Sequence, residues 1–142
     1  MVPALPEDAL GREVTFTKTV SESDVYGFAG ITGDFAPNHV DEQFMARSRY
    51  GGRIAHGVLV LGYTSTASTQ MAALLGGHAV SLGYDRVRFL GAVRFGATIT
   101  VRYRLNRLDQ QKRRAYSDIE VHDETGALVL AATHVLAFID ES

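Results

Sequence analysis

The stretch GVLVLGYTSTASTQMAALL, Gly57 to Leu75, decides the fold of this chain. Val58, Leu59, Leu61, Ala67, Met71, Leu74 and Leu75 place apolar side chains nearly all round a helix, and no charged residue interrupts them. A helix with that pattern offers no face to water, so it is expected to be buried inside the fold. Gly76-Gly77 ends it, because glycine takes the left-handed conformation that closes helices. Downstream, four segments rich in Val, Ile, Phe, Tyr and Thr read as strands: Ala79 to Phe89, Ala97 to Leu108, Arg113 to His122 and Ala127 to Ile139. In the second, Ile99, Val101, Tyr103 and Leu105 point one way, while Thr98, Thr100, Arg102 and Arg104 point the other. Asp123-Glu124-Thr125-Gly126 reads as a hairpin turn with glycine at its end. Leu128 to Ile139 is apolar on both faces and should lie centrally in the sheet.

Upstream of the long helix, Arg12 to Val20 alternates in part and reads as a first strand. Ser21 can accept from the backbone N–H of Asp24, whose carboxylate suits a first helical turn. Val25, Phe28, Ala29 and Ile31 follow at helical spacing, so a short helix should run to about Thr32, stopped by Gly33 and Pro37. From Gly33 to Ala55 the periodicity breaks, apart from one helical turn around Asp41 to Arg47. Irregular segments of this length inside a compact domain are usually functional. Phe35, Val40, Phe44, Met45 and Tyr50 anchor this one against disorder. The order of elements implies an α+β architecture, an antiparallel sheet of about five strands wrapped around one long helix.

A chain of 142 residues fits one domain spanning 1–142 and is long enough to bury a core. Its net charge of -2 argues against a nucleic-acid partner, since phosphate binding draws on a basic surface. The absence of cysteine excludes disulfides and thiolate chemistry. Met1 to Leu10 lacks the basic and apolar regions of a signal peptide, and no apolar run approaches the ~20 residues that span a bilayer. A cytoplasmic enzyme or binding module, without a membrane partner, is the expected class.

The chemistry concentrates in Gly33-Asp34-Phe35-Ala36-Pro37-Asn38-His39-Val40-Asp41. Imidazole titrates near neutrality, which suits His39 to acid–base work, and a nearby carboxylate such as Asp34 can orient it or share a bound water. Arg53-Ile54-Ala55-His56-Gly57 then leads into the long helix, whose first free N–H groups carry partial positive charge. Gly57 lets a ligand approach that backbone closely, so a carbonyl oxygen could be polarised there. Against this stands a plainer reading. An Asp after a helix-ending Gly is often a turn residue, a loop His is often a surface residue, and His56 can serve to cap the helix or orient the loop. His78, His122 and His134 read as structural. The histidines are scattered, without the paired spacing of a metal site, and there is no Gly-x-Ser-x-Gly elbow, phosphate loop or dinucleotide fingerprint. The residues alone reach an acid–base site near a helix N-terminus.

Tyr26 to Gly57 also resembles the MaoC-like, (R)-specific enoyl-CoA hydratase family, whose members have the hotdog fold. The family's hydratase motif matches Asp34, Pro37, His39 and Asp41, and its downstream element matches His56-Gly57-Val58-Leu59. Val87-Arg88-Phe89-Leu90-Gly91-Ala92-Val93, followed by Gly96, resembles the family's strand after the helix. The resemblance implies reversible hydration of an enoyl-CoA thioester, with coenzyme A part of the substrate and no separate cofactor or metal. Asp34 and His39 would activate water, and the Gly57 N–H would hold the thioester oxygen. Asn38, His56, Val58, Arg86 and Arg88 are the expected substrate-side residues; Arg86 and Arg88, with Arg94, read either as partners for CoA phosphates or as a solvated strand edge. A homodimer with a continuous sheet is implied as well. The chain departs from the family at Ala36, where an Asn is common.

Two rivals remain. A hotdog thioesterase needs a carboxylate on the long helix or near its start, and Gly57 to Leu75 contains none. A non-catalytic acyl-thioester binder, or a subunit of a heteromeric dehydratase, would be expected to lack the Asp or the His, and both are present.

Overall fold

A computed structural model describes residues 2–139. A 3-10 turn at Glu7–Ala9 precedes strand β1 (Glu13–Thr19), helix α1 (Glu22–Thr32) and two short helices, α2 (Pro37–Val40) and α3 (Glu42–Ala46). Helix α4 (Gly57–Leu74) follows, then strands β2 (His78–Phe89), β3 (Thr98–Asp109), β4 (Arg114–His122) and β5 (Leu128–Ile139). The strands form one five-stranded sheet in the order β1-β3-β4-β5-β2, every pairing antiparallel. The expected wrapping of a sheet about one long helix is therefore present.

Period-two patterning drives the sheet. Ile99, Val101, Tyr103 and Leu105 of β3 are fully buried. On the opposite face, Thr17 and Thr19 of β1 share hydroxyl hydrogen bonds with Thr100 and Thr98 at 3.1 and 2.8 Å. The buried side meets Val60, Thr64, Ala67 and Met71 of α4, and this contact is the core. The turn after β4 forms as its residues dictate: the Asp123 carboxylate accepts from the N–H groups of Thr125 and Ala127, and Gly126 takes φ 86°.

Three expectations need correction. Helix α4 is buried on one side only; Val58, Ser65, Thr69 and Leu74 are exposed. One sheet covers one face of a helix, and a pattern apolar all round tells nothing about what covers the other. Strand β5 is interior but not central, since β4 occupies the middle and β2 lies beyond β5 at the edge. The segment around Pro37 is helical, because proline at the first position of α2 is already set to a helical φ.

Candidate active site

The irregular segment folds across the N-terminal end of α4, and local chemistry sets each step of its path. The Ser21 hydroxyl caps α1 by accepting from the Asp24 N–H at 3.0 Å. Gly33 closes the same helix at φ 83°, donating its N–H to the Ala29 carbonyl. That left-handed step delivers Asp34, whose carboxylate accepts from the Ala36 N–H at 3.2 Å and bends the chain into α2. The Asn38 carbonyl then accepts from the Ile54 N–H at 3.0 Å, fastening α2 to the segment before α4.

His39 is held by the same fastening. Its Nδ1–H donates to the Ile54 carbonyl at 2.7 Å. A carbonyl can only accept, so the ring proton sits on Nδ1, and Nε2 of the neutral ring keeps its lone pair. The neighbouring His56 donates Nε2–H to the Asp34 carbonyl at 2.9 Å, leaving its buried Nδ1 without a hydrogen-bond partner. The two imidazoles stack with centroids 3.6 Å apart, and Phe28 of α1 packs on His56 at 4.8 Å. His56 occupies the N-cap position of α4 but makes no side-chain cap bond. It shapes the loop instead.

A carboxylate oxygen of Asp34 and one ring nitrogen each from His39 and His56 lie within 4.8 Å of one another. Sequence spacing argues against a metal site, yet folding gathers three groups that could hold a cation, and they are these. The same separation suits a water molecule: two hydrogen bonds of about 2.8 Å span such a gap at an angle of roughly 120° or less. Asp34 is half exposed, whereas both imidazoles are buried. The cluster thus joins a solvated anion to two shielded rings.

Arg53 braces this arrangement from behind. It pairs with Glu22 of α1 at 2.8 Å and Glu42 of α3 at 2.7 Å, bonds the Tyr26 hydroxyl, and lies over the Phe95 ring at 4.6 Å. The bond to Glu22 chiefly raises its pKa, against the lowering effect of burial. One guanidinium, with donors in a fixed fork, ties α1 and α3 to the segment that carries His56. The sequence reading singled out neither Arg53 nor Phe28; only the single arginine in Gly51-Gly52-Arg53-Ile54-Ala55 hints at the first.

Beside the cluster, a cavity of about 430 Å³ is walled by Asn38, His39, Tyr50, Gly57, Val58 and Phe89 among others. A methyl group added to Gly57 would stand 2.7 Å from the Phe89 ring, so the close packing there requires glycine. The fold therefore brings His39, Asn38, Gly57 and Val58 to one cavity. Asp34 and His56 adjoin His39 without forming its wall. Arg86 and Arg88 stand apart from the wall, on exposed positions where β2 is irregular and Arg86 takes φ 54°. Arg94 packs against Gly52 in the loop instead. A larger hollow, about 960 Å³, lies along the C-terminal half of α4 and contains none of these residues.

A long helix half-wrapped by a five-stranded antiparallel sheet is the hotdog fold. The chain belongs to the MaoC-like dehydratase family, matching the MaoC like domain over residues 6–127. It is 38% identical over 106 residues to a 3-hydroxybutyryl-CoA dehydratase of Methylorubrum extorquens, covering 75% of this chain and 66% of that protein. It is 33% identical over 103 residues to an (R)-specific enoyl-CoA hydratase of Rhodospirillum rubrum, covering 72% and 69%. The solved (R)-hydratase of Aeromonas caviae superposes with a TM-score of 0.83 at 25% identity, over 92% of this chain and 96% of that one.

Proposed function

We propose that this protein catalyses the reversible hydration of a trans-2-enoyl-CoA to an (R)-3-hydroxyacyl-CoA. One observation carries the reading: Asp34 and His39 converge within water-bridging reach, beside a cavity that also presents the N-terminus of α4. Water held between the Asp34 carboxylate and His39 Nε2 attacks C3 of the enoyl group while the pair takes its proton. The displaced π electrons move through C2 onto the thioester oxygen. The Gly57 N–H, with no intrahelical acceptor at the first turn of α4, donates to that oxygen and stabilises the enolate-like transition state. Return of a proton to C2 completes the net addition of one water. The reverse sequence is dehydration.

Supporting the reaction class, the relatives named above are a dehydratase and a hydratase. The absence of any acidic residue from α4 disfavours the thioesterase reading. The working form we propose is a homodimer. Val80, Leu82 and Phe89 of edge strand β2 are exposed, as are Val58 and Leu74 of α4, and an unpaired apolar edge is a template for pairing. A second copy related by a twofold axis would pair β2 with β2 antiparallel and cover both surfaces. Among the described residues, no helix is long and apolar enough to cross a membrane.

The experiment is loss of ultraviolet absorbance from crotonyl-CoA on adding purified protein, with free thiol followed in parallel. Absorbance loss without thiol release is expected. Thiol release would replace the hydratase by a thioesterase, and silence in both would leave a binder or a partner-dependent subunit.

A further inference from the structure

The larger hollow has a polar group set into its wall. Ser81 of β2 lines it, and the Ser81 Oγ lies 2.6 Å from Nε2 of His134, whose Nδ1 lies 2.7 Å from the Tyr103 hydroxyl. His134 and Tyr103 are fully buried, with Tyr84 stacked on the imidazole at 4.4 Å. Proton positions along this chain follow from the surroundings. Burial raises the Tyr103 phenol far above its ordinary value, so the phenol keeps its proton. Burial likewise holds His134 neutral, pushed down to about 4. The nearby Ser117 hydroxyl makes no hydrogen bond, so Nδ1 is the acceptor within reach of the buried Tyr103 O–H. The phenol therefore donates to Nδ1, and the single ring proton of His134 sits on Nε2 and is donated to Ser81. Ser81 accepts on its oxygen and has its own O–H left to give. Nε2 has no lone pair with which to take that proton, so the pair is a fixed donor array and not a nucleophile with its base.

We infer that Ser81, oriented by His134 and Tyr103, selects an acyl group bearing a neutral oxygen, hydroxyl or keto, at a distance from the thioester. The inference rests on the hydratase and dimer readings above. In an antiparallel β2–β2 pairing, the His78 end of one strand lies beside the Phe89 end of the other. That pairing would set the hollow at one copy's Gly76 to Ser81 beside the other copy's catalytic cavity at Phe89 to Val93, as the far part of one acyl site. The rest of the wall mixes Ala72, Ala73, Leu136 and Ile139 with Thr69, His78 and Arg113, and Ser68 spends its hydroxyl on the Ser65 carbonyl. An alkyl chain would fill the volume and leave the Ser81 donor unanswered.

The test compares kcat/KM for two trans-2-enoyl-CoAs of equal length, one ending in methyl and one in a terminal hydroxyl. The wild-type protein is expected to favour the hydroxylated chain by about tenfold, the scale of one neutral hydrogen bond. Ser81→Ala should bring that ratio near one, while Ser81→Thr, which keeps a hydroxyl, should restore most of it. A wild-type ratio of one, or a preference that survives Ser81→Ala, overturns the inference. Wild-type hydration of crotonyl-CoA, run alongside, separates the two levels. Activity there with a ratio of one removes only the role of Ser81, whereas no activity on any of the three thioesters overturns the hydratase reading and this inference with it.

Discussion

The molecule holds buried imidazoles in two places, and they are built for opposite ends. His39 and His56 sit in a stacked pair at the mouth of the irregular segment, each pinned through one nitrogen to a backbone carbonyl. His134 sits inside the sheet with both nitrogens engaged by hydroxyls. Fixing one nitrogen of a neutral imidazole defines which atom remains free to move a proton. Fixing both removes the ring from acid–base work and makes it a conduit for hydrogen-bond direction. Burial is shared by the two places, so burial alone does not mark a functional histidine. The count of unengaged ring atoms facing a cavity separates them.

The largest effect that would break this contrast lies at the first place. Asp34→Asn and His39→Ala are each expected to lower crotonyl-CoA hydration by at least ~100-fold while leaving the thermal unfolding midpoint within a few degrees of wild type. Retained activity in either would dissolve the distinction between the two histidine sites. At the second place the expected effect is on stability. The native pKa of His134, about 4, lies below the ordinary 6.5. Above pH 6.5 both folded and unfolded forms are neutral there, and no cost arises. As pH falls from about 6.5 to about 4, the unfolded chain binds a proton that the native state refuses. Stability on the order of 3 kcal/mol is thereby lost. Denaturant unfolding between pH 7 and pH 4.5 should show this slope, and His134→Gln should flatten it. An unchanged slope in that variant would assign acid sensitivity elsewhere. The smallest effect sharpens the first site: Ala36→Asn should preserve or raise activity, and a sharp loss in steady-state assays would mean that the Asp34–His39 bend departs from the family geometry.

What the sequence made legible was local. The Ser21 cap, the Gly33 stop, the alternation of Ile99 to Leu105 and the Asp123–Gly126 turn each depend on neighbours within a few residues, and each formed as read. The candidate pair Asp34 and His39 was legible for the same reason. Where partners are distant, the reading stopped short. His56 meets Asp34 across 22 positions, Arg53 reaches Glu22 across 31, and Ser81 finds His134 across 53. No period or spacing encodes such meetings. The one-sided burial of α4 failed to show for a related reason: hydrophobic patterning records that a face is apolar, and whether the cover comes from the same chain is decided by topology. Helix α2 escaped notice because four residues are too few for periodicity, although Pro37 at its start was visible.

The contact between Gly57 and Phe89 has a consequence for how this protein can change. A side chain at position 57 would put its first carbon 2.7 Å from the ring at 89, so it fits only if that ring moves. Phe89 ends the edge strand, so the residue that shuts the first turn of α4 against bulk belongs to the proposed dimer seam. The two positions are coupled in any mutational path: shrinkage at 89 makes room for growth at 57, and the reverse order passes through a crowded intermediate.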